Sequence, residues 1–341
     1  MIPRLHIAFS LRNQYTYWMG STYQPSHGEY LLNHARTGIV MALQASLPQG
    51  GKVGVVAYNC HAVANAVVEA GCTPVFVDVT DHLYIDLQHL ATLSLDAIIV
   101  TNLFGLRNDI QAIRQIVGQT AIIVDNAHGY GLAPEGDFCV YSIGQGKFPS
   151  LGEGGVLFVN NPEYIPSIEQ QYAQLSTYSF LHEIKLYLIM LIKAIMHIPC
   201  IYGLVTKRLK AQRPEIICRE QLTLRRAAKG VSRMYHNAVN ETPTQITQQL
   251  SIARYLSQQL QNHPLIQDLW FSDNAFMLIA QTNDVQALNS YFAEQGIETA
   301  THFAKTIQWA TQFGYQQGSC PMAEQLTNQL VMIPTYKKIK I

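Results

Sequence analysis

The chain has 341 residues, and its 23 lysines and arginines are balanced by 23 aspartates and glutamates. This length indicates two structural units, and the even balance of charge gives no reason to expect a nucleic-acid partner. Charged residues make up only 13% of the chain and hydrophobic residues 48%, so we expect much surface to be buried against another subunit or a membrane.

The six cysteines are scattered without CxxC spacing. Neither a zinc site nor a disulfide framework is therefore indicated, and no metal is expected. The first 18 residues lack the apolar region and the small-residue cleavage site of a signal peptide. These features together predict a reduced, cytoplasmic protein.

Residues 1–30 are rich in aromatic side chains and show no clear period. They fit an N-terminal arm that lies across another surface, or equally a local core. An apolar periodic run over Ile39–Leu47 then predicts a helix, and Arg36 and Thr37 stand at its start. The free backbone N–H groups and the dipole of a helix N-terminus favour a bound phosphate.

From residue 53 onward, apolar strands alternate with helical segments. This alternation predicts a mostly parallel sheet that is covered by helices on both faces, with a ligand crevice at the carboxyl ends of its strands. Polar residues follow three strands, at Tyr58–His61, at Asn102–Gly105 and at Asp125. The predicted strands cover residues 53–57, 74–79, 97–101 and 121–125, and the predicted helices cover about 62–70 and 109–117.

Asp125 ends the apolar run Ile122–Val124 and should be poorly solvated, so its charge needs a nearby cation. After a further short strand at 138–141, a single lysine, Lys147, stands in a loop of closely spaced glycines. An amine on flexible backbone suits a nucleophile that binds a planar cofactor covalently and then swings away from it.

Three motifs in this region carry a family resemblance. They are Asp-x-Ala-His from Asp125 to His128, Ser-x-x-x-x-Lys from Ser142 to Lys147, and Gly-Glu-Gly-Gly at 152–155. Their order and spacing resemble the DegT (DegT/DnrJ/StrS) family of aminotransferases, pyridoxal-phosphate enzymes that put amino groups on keto-sugars. The residues 143–146 read Ile-Gly-Gln-Gly where relatives often have Phe-His-Pro, which indicates a glycine-rich subtype of the loop.

The resemblance implies how the coenzyme ring is held. Lys147 forms the Schiff base and, once released, moves the proton between the substrate carbon and the coenzyme carbon. Asp125 pairs with the pyridine nitrogen, and His128 contacts the phenolic oxygen. His61 or Tyr58 is the candidate for the residue that stacks on the ring.

For the phosphate, the resemblance implies Ser142 and Thr37 as ligands. Arg36 either adds a charge-assisted contact to the phosphate or is an ordinary surface arginine at a helix start. The implied fold is a fold-type-I pyridoxal-phosphate transferase, with a mostly parallel central sheet, helices on both faces and a smaller C-terminal α+β domain. We expect a large domain at 31–180, an apolar connector and linker at 181–240, and a small domain at 241–341.

The connector contains an apolar segment at 186–204 that is nearly as long as a membrane span. Lys193, His197 and Pro199 interrupt it, which argues against a spanning helix. Two interpretations stay open: a buried connector between domains or within a dimer interface, and an interfacial helix that rests on anionic lipid. Further on, residues 242–260 predict an amphipathic helix that opens the small domain, and 277–280 a strand.

The function that the resemblance implies is transfer of an amino group from an amino acid, glutamate in the first instance, to a nucleotide-linked keto-sugar. Such a reaction serves bacterial surface polysaccharide or related glycan synthesis, in a homodimer with its site between subunits. One alternative is a sugar dehydratase on the same fold, but relatives of that kind replace the lysine by histidine, and Lys147 is present. The other is a non-catalytic, membrane-peripheral scaffold or regulator, which the apolar segment favours.

Overall fold

Two β-sheets organise the chain in the computed structural model, which describes residues 2–3, 9–203, 219–301 and 303–337. The larger sheet contains β1 (Glu29–Leu32), β2 (Lys52–Val56), β3 (Thr73–Val77), β4 (Ala97–Thr101), β5 (Ala121–Asn126), β6 (Phe138–Ser142) and β7 (Gly155–Val159). The smaller sheet contains β8 (Asp268–Trp270), β9 (Met277–Gln281) and β10 (Leu330–Pro334). The strand order is β1-β7-β6-β5-β4-β2-β3 in the larger sheet and β10-β9-β8 in the smaller one.

Helices surround both sheets. They are α1 (Leu11–Met19), α2 (Ala35–Ser46), α3 (His61–Glu69), α4 (Leu87–Leu90), α5 (Ile110–Val117), α6 (Ile165–Gln174), α7 (Phe180–Met196), α8 (Lys229–Leu260), α9 (Val285–Glu294), α10 (Thr306–Thr311) and α11 (Pro321–Leu326). Short 3₁₀ turns lie at Leu103–Gly105 and at Pro162–Tyr164.

The centre of the larger sheet is parallel and buried on both faces. Strands β3, β2, β4, β5 and β6 run in one direction, and β7 is antiparallel to β6 and to β1. Alternate residues of β5 belong to separate cores: Ile123 packs with α2 and α3, whereas Ile122 and Val124 pack on the opposite face. The near-continuous apolar strands needed both layers of helices, so the predicted α/β class with a mostly parallel sheet is confirmed.

Parallel pairing also brings the ends of these strands to one edge. Thr101 at the end of β4 is paired with Asp125 on β5, and Asn59 follows β2 with its amide donating to the Thr101 hydroxyl at 2.8 Å. The predicted bounds of these strands differ from the observed ones by two residues or fewer. The polar strand ends therefore meet where the parallel arrangement requires.

The largest departure from the predicted elements is α8, which begins at Lys229 rather than near residue 242. The segment before Thr242 is polar in sequence, and Pro243 resembles a helix start, because proline fits the first helical turn. Tertiary packing overrides this signal: Val231 and Met234 of α8 are buried in the core that also contains Tyr17 of α1. The predicted domain boundary at 241 falls within this helix.

The predicted arm and connector are only partly described by the structure. Residues 9–30 include α1, which packs against the same chain: the Tyr17 hydroxyl donates to the backbone carbonyl of Glu183 on α7 at 2.9 Å. Within the apolar segment at 186–204, α7 covers the residues up to Met196, and residue 204 lies outside the described residues. Among the helices that the described residues form, none is both long enough and apolar enough to cross a bilayer.

The contact between α2 and the sheet gives a test of this packing. At Gly38, a Cβ atom would lie 2.9 Å from Val140 Cγ1 and 3.3 Å from Leu157 Cβ. Overpacking typically costs about 1 to 3 kcal/mol, so we expect Gly38→Ala to lower the free energy of unfolding by about 1 kcal/mol despite the better helix propensity of alanine. Urea denaturation measures this change. Gln44→Ala, on the exposed side of the same helix, is the control, and equal stability of Gly38→Ala and wild type would contradict the packing.

Candidate active site

A cavity of about 340 Å³ opens at the carboxyl ends of β2, β4 and β5. Asn59, Thr101 and Asp125 line it from the strand ends, and Lys147 lines it from the loop between β6 and β7. Ala35 and Arg36 of α2 also line it, together with Phe303 from the segment before α10. This is the crevice that a parallel sheet of this kind forms at its carboxyl edge.

Asp125 is deeply buried on the sheet side of the cavity, with 3% of its surface exposed. Its Oδ1 accepts the backbone N–H of Ala127 at 2.9 Å, and the Thr101 hydroxyl lies 3.4 Å from its Oδ2. Burial raises the pKa of the carboxyl, against the opposing effects of the Ala127 N–H and the Lys147 amine. The charged form of Asp125 is thus disfavoured unless a cation enters the cavity.

Lys147 reaches the same cavity from a folded loop. Within this loop the N–H of Lys147 donates to the carbonyl of Gly144, and the N–H of Gln145 donates to the carbonyl of Gly152. Although part of the residue is exposed, the amine is enclosed, and this burial lowers its pKa against the opposing effects of Cys60 and Asp125. The neutral amine, which is the nucleophilic form, is therefore easier to form here than in a solvated lysine.

His128 is the direct neighbour of this amine, with its Nε2 2.8 Å from Lys147 Nζ. Its ring lies nearly parallel to those of Phe104, Phe276 and Phe303, at centroid distances of 5.3, 4.5 and 6.2 Å. The backbone N–H of Phe104 donates to His128 Nδ1 at 3.2 Å. Because Nδ1 accepts, the proton of the neutral imidazole is assigned to Nε2, which then donates to the lone pair of a neutral Lys147.

The predicted phosphate ligands are arranged around the start of α2. Ser142 lines the cavity, and its hydroxyl has no hydrogen-bond partner within the described part of the chain. Arg36 also lines the cavity, and its guanidinium forms an ion pair with Glu220 at 2.8 Å. Thr37 is buried behind the wall and donates its hydroxyl to Asn33 Oδ1 at 2.7 Å, so the structure does not bring that hydroxyl into the cavity.

His61 is likewise not brought to the cavity. It opens α3 and turns its ring edge-on against Trp309 of α10, at a centroid distance of 5.1 Å, and burial lowers its pKa. Tyr58 is fully buried and packs edge-on against Phe303. Cys60, which lies between these two candidates in the sequence, does line the cavity.

Two wall residues, Phe303 and Glu153, were not assigned a role from the sequence. Phe303 lies in an irregular segment without any recognisable motif, so sequence offers no signal for it. Glu153 belongs to the Gly-Glu-Gly-Gly motif, and its Oε1 is buried without a hydrogen-bond partner in the described residues. Burial raises its pKa to about 7, against the opposing effects of Tyr178 and Arg225.

Fold and site together define an α/β protein that holds an enclosed lysine amine and a buried carboxyl in one cavity at the sheet edge. A family model described as the DegT/DnrJ/EryC1/StrS aminotransferase family matches residues 31–186 and 202–340. This match covers most of the chain, which therefore belongs to the DegT/DnrJ/EryC1/StrS aminotransferase family. The family that the sequence motifs predicted is thereby confirmed.

The chain is also similar to three individual proteins. It is 29% identical over 153 residues to dTDP-4-amino-4,6-dideoxy-D-glucose transaminase of Shigella dysenteriae, a match that covers 41% of each chain. It is 25% identical over 324 residues to a pleiotropic regulatory protein of Geobacillus stearothermophilus, covering 89% of this chain and 78% of that protein. The fold superposes with a TM-score of 0.73 on Spr1654 of Streptococcus pneumoniae, assigned as a sugar aminotransferase and solved in a PLP form, at 15% identity over 99% of this chain and 94% of that one.

The raised pKa of Asp125 predicts that this residue reduces the stability of the coenzyme-free protein. The folded state holds the proton more tightly than the unfolded chain, whose aspartate pKa is about 3.9, so the wild-type free energy of unfolding falls as the pH rises from there toward the folded pKa. Asp125→Asn keeps an oxygen that accepts the N–H of Ala127, but its side chain does not ionise, so its free energy of unfolding should not fall in this way as the pH rises. We expect the variant to be more stable than wild type at pH 8 and the difference to shrink toward pH 4.

Denaturation by urea across this pH range measures the effect. Asp273→Asn, at an exposed aspartate, serves as the control and should follow the wild-type curve. A coenzyme-free Asp125→Asn protein that is less stable than wild type at pH 8 would show that the carboxylate is stabilised in the cavity by a partner.

Proposed function

We propose that this protein is a pyridoxal-phosphate-dependent aminotransferase with Lys147 as the residue that binds the coenzyme covalently. The contact that carries the proposal is the one between Lys147 Nζ and His128 Nε2, 2.8 Å apart in a cavity that Asp125 also lines. Family membership and the solved PLP form of a protein with the same fold support it.

The residues of the cavity fit this coenzyme. Burial lowers the pKa of the Lys147 amine. The buried carboxyl of Asp125 forms no ion pair within the described part of the chain, and a protonated pyridine nitrogen would provide its cation. The Ser142 hydroxyl and the first residues of α2 are suitable for the phosphate. The volume of about 340 Å³ is also in the range of small-molecule sites, which begin at about 300 Å³.

When bound, pyridoxal phosphate supplies an electron-withdrawing ring that stabilises negative charge on the adjacent carbon of an amino compound. The protein residues bind and orient this ring. Asp125 holds a proton or a positive charge at the ring nitrogen, and His128 offers its Nε2–H as a donor. Lys147 would take up and return a proton at Nζ as the general base and acid.

For the substrates, we propose an amino acid, glutamate in the first instance, as donor and a nucleotide-linked keto-sugar as acceptor. The family and the name of the Shigella dysenteriae transaminase support this substrate class. We further propose that the enzyme is a cytoplasmic homodimer with its site between subunits, and that its amino sugar enters a surface polysaccharide or a related glycan.

Of the two rival functions, a sugar dehydratase is disfavoured by Lys147 itself. A regulatory role without catalysis has one specific observation in its favour, which is the match to the pleiotropic regulatory protein over 78% of its length. Uptake of the coenzyme separates this rival from the proposed enzyme, because a regulator that kept only the fold has no need of a reactive amine.

The covalent role of Lys147 predicts a visible signature. Protein incubated with pyridoxal phosphate and dialysed should be yellow, and glutamate should change its absorbance band as the amino group is transferred. Lys147→Ala should lose the dialysis-resistant band, and amino transfer should fall by roughly 10³-fold or more, since both the covalent bond and the acid-base group are removed. Absorbance spectra and a coupled assay for 2-oxoglutarate measure the two effects.

Lys52→Ala, at an exposed lysine of β2, is the matched control and should behave as wild type. If the wild-type protein bound no coenzyme, the proposed aminotransferase activity would be refuted and a regulatory role would be favoured. A band that survives dialysis in Lys147→Ala would assign the covalent role to another amine.

We propose in addition that the enzyme contacts an anionic membrane surface through one apolar face, formed by α1 and α7. The two helices adjoin, with the rings of Trp18 and Phe180 6.2 Å apart and Tyr187 donating to Gln14. Large apolar side chains of both helices are between 38% and 83% exposed. They are Leu11, Tyr15 and Met19 of α1, and Phe180, Leu181, Leu188, Ile189, Ile192 and Ile195 of α7.

Charge favours lipid over a second copy as the partner of this face. Lys185 of α7 is exposed, whereas Glu183, the acidic residue of the helix, is buried and accepts the backbone N–H of Lys229 at 2.6 Å. The sequence of residues 204–218 contains four basic residues and one acidic residue. Two such faces brought together would repel each other, while anionic headgroups attract them.

This membrane contact can be tested by sedimentation with phosphatidylglycerol vesicles. We expect the wild type to pellet with them and Leu188→Glu/Ile192→Glu to pellet at least about tenfold less, because burying each large apolar side chain contributes about 1.5 to 3 kcal/mol. Ile116→Glu, at an exposed isoleucine of α5, is the control. Equal pelleting of wild type and the double variant would refute the membrane contact. It would also be refuted if the wild type formed a dimer without lipid and the double variant were a monomer, because the apolar face would then be a dimer interface.

A further inference from the structure

The turn after β4 contains a strained residue that contacts the site. Phe104 has a φ of +51°, in the left-handed region that favours glycine. A non-glycine residue in this conformation persists when its surroundings hold it there, and such residues cluster at functional sites. The N–H of Phe104 is the group that donates to His128 Nδ1.

Two side chains from the turn before β9 hold this arrangement in place. The Ser272 hydroxyl lies 2.8 Å from the carbonyl oxygen of Phe104 and 2.8 Å from Asn274 Oδ1. The amide of Asn274 donates to the carbonyl of His128 at 2.8 Å and to that of Tyr130 at 3.3 Å. Ser272 and Asn274 are both buried, so their hydrogen bonds are made away from competing water.

The glycine after Phe104 fits this contact closely. Gly105 has a φ of +83°, and a Cβ atom on it would lie 2.3 Å from Asn274 Oδ1. The N–H of Phe276 also donates to Asn274 Oδ1, at 3.0 Å, and the ring of Phe276 is the nearest of the rings that stack on His128. The same turn thus supports the backbone of Phe104, the backbone of His128 and one face of the imidazole.

The direction of these hydrogen bonds decides the state of Lys147. A protonated Nδ1 would set an N–H of the imidazole against the N–H of Phe104, so the arrangement requires Nδ1 to accept and Nε2 to carry the proton. A lysine ammonium would in turn set its N–H against Nε2–H, whereas a neutral amine offers a lone pair. The Phe104 N–H, two hydrogen bonds away, therefore disfavours the charged form of Lys147.

We propose that Ser272 and Asn274 are positioning residues for the reaction: by holding the left-handed turn at Phe104 against His128, they fix the Nε2–H imidazole that keeps the Lys147 amine neutral. The inference deepens the proposed function and rests on it for the role of Lys147. Two residues of the C-terminal part of the chain would thus help to activate Lys147, which lies more than a hundred positions earlier in the sequence.

The experiment uses the full chain without coenzyme, so that it does not depend on coenzyme binding. Nitrogen NMR of the histidine rings, with His128 assigned by comparison with His128→Gln, should show a single tautomer protonated at Nε2 in wild type. In Ser272→Ala both ring nitrogens should move toward values typical of mixed tautomers. The rate at which Lys147 reacts with an amine reagent at pH 7.5, followed by peptide mass spectrometry, should fall about tenfold.

Two variants separate positioning from simple stability. Ser272→Thr keeps the hydroxyl and should restore both readouts. Thr282→Val removes another buried hydroxyl, which accepts the N–H of Asp284 before α9, and should lower the melting temperature while leaving both readouts at wild-type values.

Asn274→Ala provides a second route to the same result and should reproduce the loss of the single tautomer. An unchanged tautomer and an unchanged rate of Lys147 modification in folded Ser272→Ala would overturn the proposal. Equal changes in both readouts in Thr282→Val would also overturn it. Failure of the proposed function has a different signature, because wild type would then take up no coenzyme whatever the tautomer of His128.

Discussion

The site depends on the burial of an amine and a carboxyl in one cavity. Burial lowers the pKa of Lys147 and raises that of Asp125, which pushes both toward their neutral forms. A protein has no structural need for this combination, because buried ionisable groups reduce stability unless they are paired and hydrogen-bonded. A ligand that offers an electrophile to the amine and a cation to the carboxyl removes both penalties, and this is the chemistry of pyridoxal phosphate.

What the sequence could predict here is what depends on local pattern. The apolar runs predicted five strands of the larger sheet, β2 to β6, within two residues of their observed bounds, because near-continuous apolar runs fit a strand that is covered on both faces. The antiparallel strands β1 and β7 were not predicted. Asp125, His128, Ser142 and Lys147 line the cavity because each is fixed by a strand end or by its loop. Their positions follow from the parallel register, which a sequence of alternating strands and helices already implies.

The residues that sequence reasoning placed less well depend on distant partners. His61 turns toward Trp309, almost 250 positions later, and the hydroxyl of Thr37 is taken up by Asn33. The start of α8 was predicted too late because its polar first turns are held by packing against α1, a contact that Pro243 and the neighbouring polar residues do not indicate. No local signal marks Phe303, which reaches the cavity from the far end of the chain.

The C-terminal part of the chain forms hydrogen bonds to two parts of the cavity wall, one near Asp125 and one near Lys147. Thr306 of α10 accepts the N–H of Asn59, and Asn59 in turn orients Thr101 beside Asp125. Asn274 holds the carbonyl of His128 in the same way, on the side of Lys147. The two halves of the site are thus set from the smaller sheet and its helices, and a displacement of that part would change the surroundings of the carboxyl and of the amine together.

The helix α7 links the reactive loop to the proposed membrane face. Met190, on its inner side, packs closely against Gly152 of the loop: a Cβ atom on Gly152 would lie only 2.6 Å from the Met190 sulfur. Lys193 donates to Gln145 of the same loop, which lines the cavity. Ile192 and Ile195, on its outer side, are exposed. Because one helix supports the Lys147 loop with one side and presents an apolar surface with the other, lipid contact would bring the loop, and with it the cavity, close to the bilayer. An acceptor sugar made or used at the membrane would then need to travel only a short distance to Lys147.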